Sequence, residues 1–144
     1  MNNMQIHEAI FRLAYDIKSH FSDIQACNKI DLAPMHMRAL RVIWSQNNTT
    51  AHDIALVLKR DKAQIARLVT KLLTEHFIEK QANPNDKRSQ FLSLTNKGRQ
   101  LFERFEAKEK LLIEDMTQEI SAQDLETFLK VSQQLSQNLL TIKS

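Results

Sequence analysis

The chain has 144 residues, 42% hydrophobic and 26% charged, with a mean hydropathy of -0.40; this is the profile of one soluble globular domain, without the ~18-residue apolar run that a membrane span needs. One glycine and two prolines leave too little punctuation for a turn-rich all-β fold, and Gly98 alone cannot build a dinucleotide fingerprint or a P-loop, which excludes nucleotide-dependent enzymes of those types. The net charge of +3 hides an asymmetry: between Lys59 and Arg99 ten basic residues face four acidic ones, while the rest of the chain is net acidic.

From Met4 to Cys27, Ile6, Ile10, Leu13, Ile17, Phe21 and Ile24 recur at spacings of three and four, predicting a long first helix. After a break at Asn28 to Pro34, the pattern Met37, Leu40, Ile43, Trp44 predicts a second helix, ended by the polar run Ser45 to Thr49. Thr50 with Asp53 forms a capping box for a short third helix carrying Ile54, Ala55, Val57 and Leu58. Asp61 with Gln64 repeats the arrangement and opens a fourth helix, to Glu75, with Ile65, Leu68, Val69, Leu72 and Leu73 on its apolar side. Two capped helices separated only by Lys59 and Arg60 cannot be collinear, which predicts a helix-turn-helix.

The period then changes. Phe77 to Gln81 and Gln90 to Leu94 read as strands around a basic loop, a hairpin. Thr95 is placed to cap a fifth helix with an apolar stripe through Leu101, Phe102, Phe105, Leu112, Met116 and Ile120, longer than a small core needs. Ser121 with Asp124 caps a last helix carrying Leu125, Phe128, Leu129, Leu135 and Leu139.

On the fourth helix Ala63, Arg67, Thr70, Lys71 and Thr74 fall opposite the apolar side, with Gln64 beside them. Taken alone this is an ordinary solvated face. On the second helix of a helix-turn-helix it suits a DNA major groove, because Arg pairs bidentately with guanine and Gln with adenine while Ala allows close approach. Lys87 and Arg88 at the hairpin tip would reach phosphates or a neighbouring minor groove.

These residues resemble the MarR family of bacterial winged-helix transcriptional regulators over essentially the whole chain. Asp86-Lys87-Arg88 followed by Leu92-Ser93-Leu94-Thr95-Asn96-Lys97-Gly98 is similar to the family's D-x-R and L-T-x-x-G pattern, Asp61 to Val69 is similar to its recognition helix, and Leu32-Ala33-Pro34 opens the second helix as in many members. The resemblance implies that Arg88 enters the minor groove, that Asp86 helps hold the wing, that Gln64 and Arg67 read the major groove, and that the terminal helices form an obligate homodimer. Two departures stand out: many members have glycine where this chain has His76, and often where it has Lys59. Histidine tolerates the left-handed conformation better than most residues.

The expected fold is therefore mainly α, a winged helix-turn-helix with a three-helix core, a β-hairpin wing and long N- and C-terminal dimerisation helices. The chain reads as a single domain, with residues 32–98 as the DNA-binding lobe and 1–31 and 99–144 as the helical dimerisation region. The expected DNA-contacting set is Thr50, Lys62, Ala63, Gln64, Arg67, Thr70, Lys71, Asp86, Lys87 and Arg88, acting on an approximate palindrome of double-stranded DNA. Phe11, Tyr15 and Trp44 are candidates to line a small-molecule effector pocket, although aromatic residues at helical spacing are core by default. Cys27 continues the first helix's apolar stripe, which favours a buried, inert thiol over an oxidant sensor, and one cysteine makes neither an internal disulfide nor a zinc knuckle. The five histidines contain no pair at i, i+4, so no metal is expected, nor any cofactor. The N-terminal stretch has neither a basic start nor an uninterrupted apolar segment, which places the protein in the cytoplasm. The reading is a sequence-specific DNA-binding regulator, with repression released by a small-molecule or redox signal. The alternatives are a winged-helix adaptor that binds protein and a hydrolase, for which no nucleophile motif is present.

Overall fold

The computed structural model describes residues 2–27 and 32–142, and of residues 23–27 it describes the backbone. In chain order the elements are α1 (Asn3–Cys27), α2 (Pro34–Ser45), α3 (Ala51–Leu58), α4 (Lys62–Thr74), β1 (Ile78–Gln81), β2 (Phe91–Leu94), α5 (Asn96–Met116) and α6 (Ala122–Thr141). The chain forms two compact units, 1–108 and 109–144.

In the first unit, α2, α3 and α4 supply most of one apolar core, with Leu40, Ile54, Ile65 and Leu72 fully buried, and α5 adds Phe102. Local chemistry sets the helix starts. The Thr50 hydroxyl accepts from the Asp53 N–H (3.2 Å) while the Thr50 N–H donates to the Asp53 carboxylate (3.0 Å), the predicted reciprocal box. The Asp61 carboxylate accepts from the Gln64 N–H (2.8 Å) and starts α4. Between them Lys59 adopts φ 54°, ψ 50°, and this left-handed residue turns the chain from α3 into α4.

Helix α4 ends one residue before the predicted Glu75, which becomes its C-cap. Beyond it the Phe77 N–H donates to the Leu72 carbonyl (2.9 Å) and the His76 N–H to the Leu73 carbonyl (3.0 Å), with His76 at φ 61°. That is the Schellman pattern, in which the left-handed residue is most often glycine. The two positions where many MarR members carry glycine are thus left-handed here without one.

Strands β1 and β2 pair antiparallel in the register Ile78↔Leu94 to Gln81↔Phe91, each strand starting one residue later than predicted. Thr49 adds a single antiparallel bridge to Leu92, whose N–H donates to the Thr49 carbonyl at 2.7 Å. Thr49 is 1% exposed, and its hydroxyl donates to the Gln46 carbonyl (3.2 Å). After β2, Thr95 caps α5 by accepting from the Gly98 N–H (3.1 Å), and its own hydroxyl is oriented to the His76 carbonyl (2.6 Å). Gly98 lies against the Phe77 backbone, where a β-carbon would overlap the carbonyl oxygen, so the chain's one glycine sits at a close approach of two backbones.

Two expectations are corrected. The fifth helix stops at Met116, not at Ile120: Thr117 to Glu119 form a turn with Glu119 at φ 61°, and Ile120 stands exposed ahead of the Ser121 cap of α6. Of the apolar residues of α3, Ile54, Ala55 and Leu58 face inward, while Val57 is exposed beside Leu56. Phe11 and Tyr15 are 63% and 70% exposed on α1, not core, and no residue of α6 is buried. The surroundings of the Cys27 side chain lie outside the described residues. Among the described residues no helix is long and apolar enough to cross a membrane.

Candidate nucleic-acid interface

The outward side of α4 is built by its amphipathic period. Ile65, Leu68, Val69 and Leu72 are buried, and this turns Lys62, Ala63, Gln64, Ala66, Arg67, Thr70 and Thr74 to the surface, with Lys71 half-buried. Two concavities flank the helix. One, on the α2 side, is lined by Met35 and His36 of α2, Arg60 of the turn, and Gln64, Arg67 and Lys71 of α4 among others. The other lies on the wing side, about 510 Å³ in volume, where Ala66 and Thr70 of α4 share a wall with Lys80 of β1 and with Lys87 and Arg88 of the wing.

The wing loop is braced by its own polar groups. The Asp86 carboxylate accepts from the Arg88 N–H (2.9 Å), the Asp86 carbonyl from the Ser89 N–H (3.3 Å), and the Asn83 side chain from the Asn85 N–H (3.0 Å). Asp86 therefore shapes the loop, which leaves the exposed Lys87 and Arg88 side chains beside α4. At the other end of the hairpin the Lys97 ammonium donates to the Glu75 carbonyl (2.8 Å) and lies 4.5 Å from the Phe77 ring centre, so α5 grips the junction of α4 and β1.

The structure gathers most of the predicted residues around α4 and the wing: Gln64, Arg67 and Lys71 on one side, Thr70, Lys87 and Arg88 on the other, Lys62 and Ala63 exposed in the first turn. Thr50 is half-buried, and its hydroxyl serves the α3 cap. Sequence reasoning missed His36, His52, Arg60 and Lys80 as lining residues. Arg60 and Lys80 count toward the basic excess, but only the fold shows which concavity each enters. His36 carried a local signal, its place at the third position of α2, where its Nδ1 accepts from the Ala33 N–H (2.9 Å).

Of the aromatic candidates, Phe11 and Tyr15 stand on α1, with Phe11 against the His7 ring (4.6 Å between centres). Trp44, 41% exposed, lies apart from them in sequence on α2, tilted against Phe102 (5.4 Å) with the Arg99 guanidinium 5.4 Å from its ring centre. Among the described residues no group of three or more His, Cys, Asp or Glu is arranged to hold a metal ion.

The MarR family model matches residues 32–90, from the start of the lobe through the wing loop. Over that segment the chain is similar to the MarR family. Over 98 residues the chain is 29% identical to the HTH-type transcriptional regulator YwhA of Bacillus subtilis, covering 68% of this chain and 70% of that protein. Over 62 residues it is 40% identical to the HTH-type transcriptional regulator BilQ of Clostridium symbiosum, 43% of each. Among solved structures, FabT of Streptococcus pneumoniae in complex with DNA superposes with a TM-score of 0.85 at 19% identity, over 99% of this chain and 100% of that one. The MepR–DNA complex of S. aureus gives 0.80 at 19% identity, over 92% and 97%. At such identities the superpositions show a shared winged-helix fold.

Proposed function

We propose that this chain is a MarR-family, sequence-specific transcriptional regulator that binds double-stranded DNA as a homodimer. The observation that carries the reading is the surface of α4: a row of exposed Gln64 and Arg67 on a helix-turn-helix, bordered by the cations of the wing. Gln64 and Arg67 address base edges in the major groove, Lys62 and Lys71 the phosphates, and Arg88 the adjoining minor groove. The DNA complexes of FabT and MepR, which share the fold, support this assignment. The named relatives are transcriptional regulators and not enzymes, and the hydrolase alternative falls with them.

Residues 32–98 serve as the DNA-binding lobe, and 1–31 with 99–144 as the dimerisation region. Exposed Ile6, Ile10 and Leu13 on α1 and Phe128, Leu129 and Leu139 on α6 support this, since a second copy would cover them. Two recognition helices about 34 to 36 Å apart then read an approximate palindrome. Repression is the mode, released by a small-molecule or redox signal that favours a dimer geometry mismatched to that spacing. A small-molecule effector would lie against Phe11, Tyr15 or Trp44, and the guanidinium above Trp44 favours an anionic aromatic compound there.

Selection of bound sequences from a random duplex library, followed by titration at several salt concentrations, tests the reading. Enrichment of a palindrome with a steep salt dependence is the expected result. Absence of any salt-dependent duplex binding would put the protein-binding adaptor ahead.

A further inference from the structure

The two concavities divide the exposed side of α4 by chemistry. The side toward α2 carries the hydrogen-bonding groups of Gln64, Arg67 and Lys71, whereas the side toward the wing carries Ala66 and Thr70. Thr70 looks like a donor on that wall, but its hydroxyl is oriented to the Ala66 carbonyl at 2.8 Å. A hydroxyl has one hydrogen to give, so Thr70 meets an approaching surface with a methyl group and oxygen lone pairs, and with no donor. Phosphate oxygens, guanine N7 and O6, adenine N7 and thymine O4 all need a donor, which leaves Thr70 nothing to offer them; its lone pairs can meet only the amino groups of adenine and cytosine, and its methyl is left for an apolar contact. The one apolar feature of the major-groove floor is the thymine C5-methyl.

We propose that Thr70 is a specificity-determining residue that reads thymine through its γ-methyl, on the wing side of the hydrogen bonds made by Gln64 and Arg67. This rests on the reading of the chain as a DNA-binding regulator. Ala66, one turn earlier on the same wall, leaves room for the base methyl, and the cations Lys80 and Lys87 across the concavity hold the backbone close enough for methyl contact.

The test uses the full-length protein and an operator selected from the random library, with deoxyuridine replacing thymidine one position at a time. Deoxyuridine keeps every hydrogen-bonding group and lacks only the methyl. One thymine per half-site is expected to weaken binding about fourfold on replacement, the scale of one buried methyl-sized group. Thr70→Val, which keeps the methyl, should retain that sensitivity; Thr70→Ser, which keeps only the hydroxyl, should lose it, both variants melting as the unsubstituted protein does. If Thr70→Ser retains the sensitivity and Thr70→Val loses affinity, the hydroxyl is the reader and the proposal is overturned. Specific binding with no uridine-sensitive position overturns it as well and leaves the DNA-binding reading intact. Failure to select any operator overturns both.

Discussion

Gly98, at the start of α5, packs against the Phe77 carbonyl at the end of the turn that follows α4, with no room for a β-carbon between them. The same carbonyl accepts the Thr95 N–H at 3.1 Å. Gly98→Ala must therefore push α5 away from the root of the wing and strain the Thr95 and Lys97 contacts together. A loss of about 1 to 3 kcal/mol is expected, the range for forcing extra atoms into a packed site. Urea unfolding measures it, and an unchanged midpoint would show that the two backbones separate freely.

His76 and Lys59 hold the left-handed conformation at a cost glycine would not incur. His76→Gly should raise stability by about 0.5 to 1 kcal/mol, part of the relief being offset by the greater freedom of glycine in the unfolded chain. His76→Val, β-branched, should lower it by a comparable or larger amount. Both follow from thermal unfolding, and a loss on His76→Gly would mean that the imidazole makes a contact worth more than the strain.

Arg88→Ala should weaken operator binding and reduce the salt slope by about 1 per wing, with melting unchanged, because the side chain is exposed in the free protein. Asp86→Ala should have a milder effect in the same direction, since the carboxylate orients the loop through the Arg88 N–H. Binding isotherms across several salt concentrations separate the two. Equal affinity and slope for a folded Arg88→Ala protein would remove the wing tip from the mechanism.

Within α4, Arg67→Ala should cost about 1 to 3 kcal/mol per half-site and relax preference at one base position, while Lys71→Ala weakens operator and random duplex alike. Competition with random duplex reads the difference, and a uniform loss for both substitutions would contradict a base-reading Arg67.

Sedimentation at micromolar concentration should show a dimer, as the apolar side chains exposed on α1 and α6 require cover. A monomer that still binds a palindrome tightly would contradict the proposed assembly.

What could be read from sequence follows from how far apart its determinants lie. The caps at Thr50, Asp61 and Ser121 are each written within four residues, and all three form as expected. The hairpin follows from a change of period, and the wing brace by Asp86 from a family pattern. Helix ends are harder: the stripe from Leu101 to Ile120 marks a face and carries no stop, and Glu119 turns the chain left-handed without a glycine to announce it. Burial of α1 and α6 was hardest, because an apolar stripe reads the same whether its cover comes from this chain or another copy. The Thr49 to Leu92 bridge joins residues distant in sequence, and no local pattern foreshadows it.

That bridge divides the wing into two dynamic regimes. The Leu92 amide is held by a buried residue of the segment entering α3, so releasing it means opening the helix-turn-helix lobe. Past Gln81 and before Phe91 the amides are tied only to their own loop, where turn-length bonds among Asn83, Asp86 and Ser89 break one at a time. Hydrogen exchange would then find Leu92 as slow as the lobe's core helices and Asn85 to Ser89 orders of magnitude faster, a stiff arm with a soft fingertip. A tip of that kind would conform to grooves of differing width, while the arm would transmit to the whole lobe whatever tilt a bound duplex imposed.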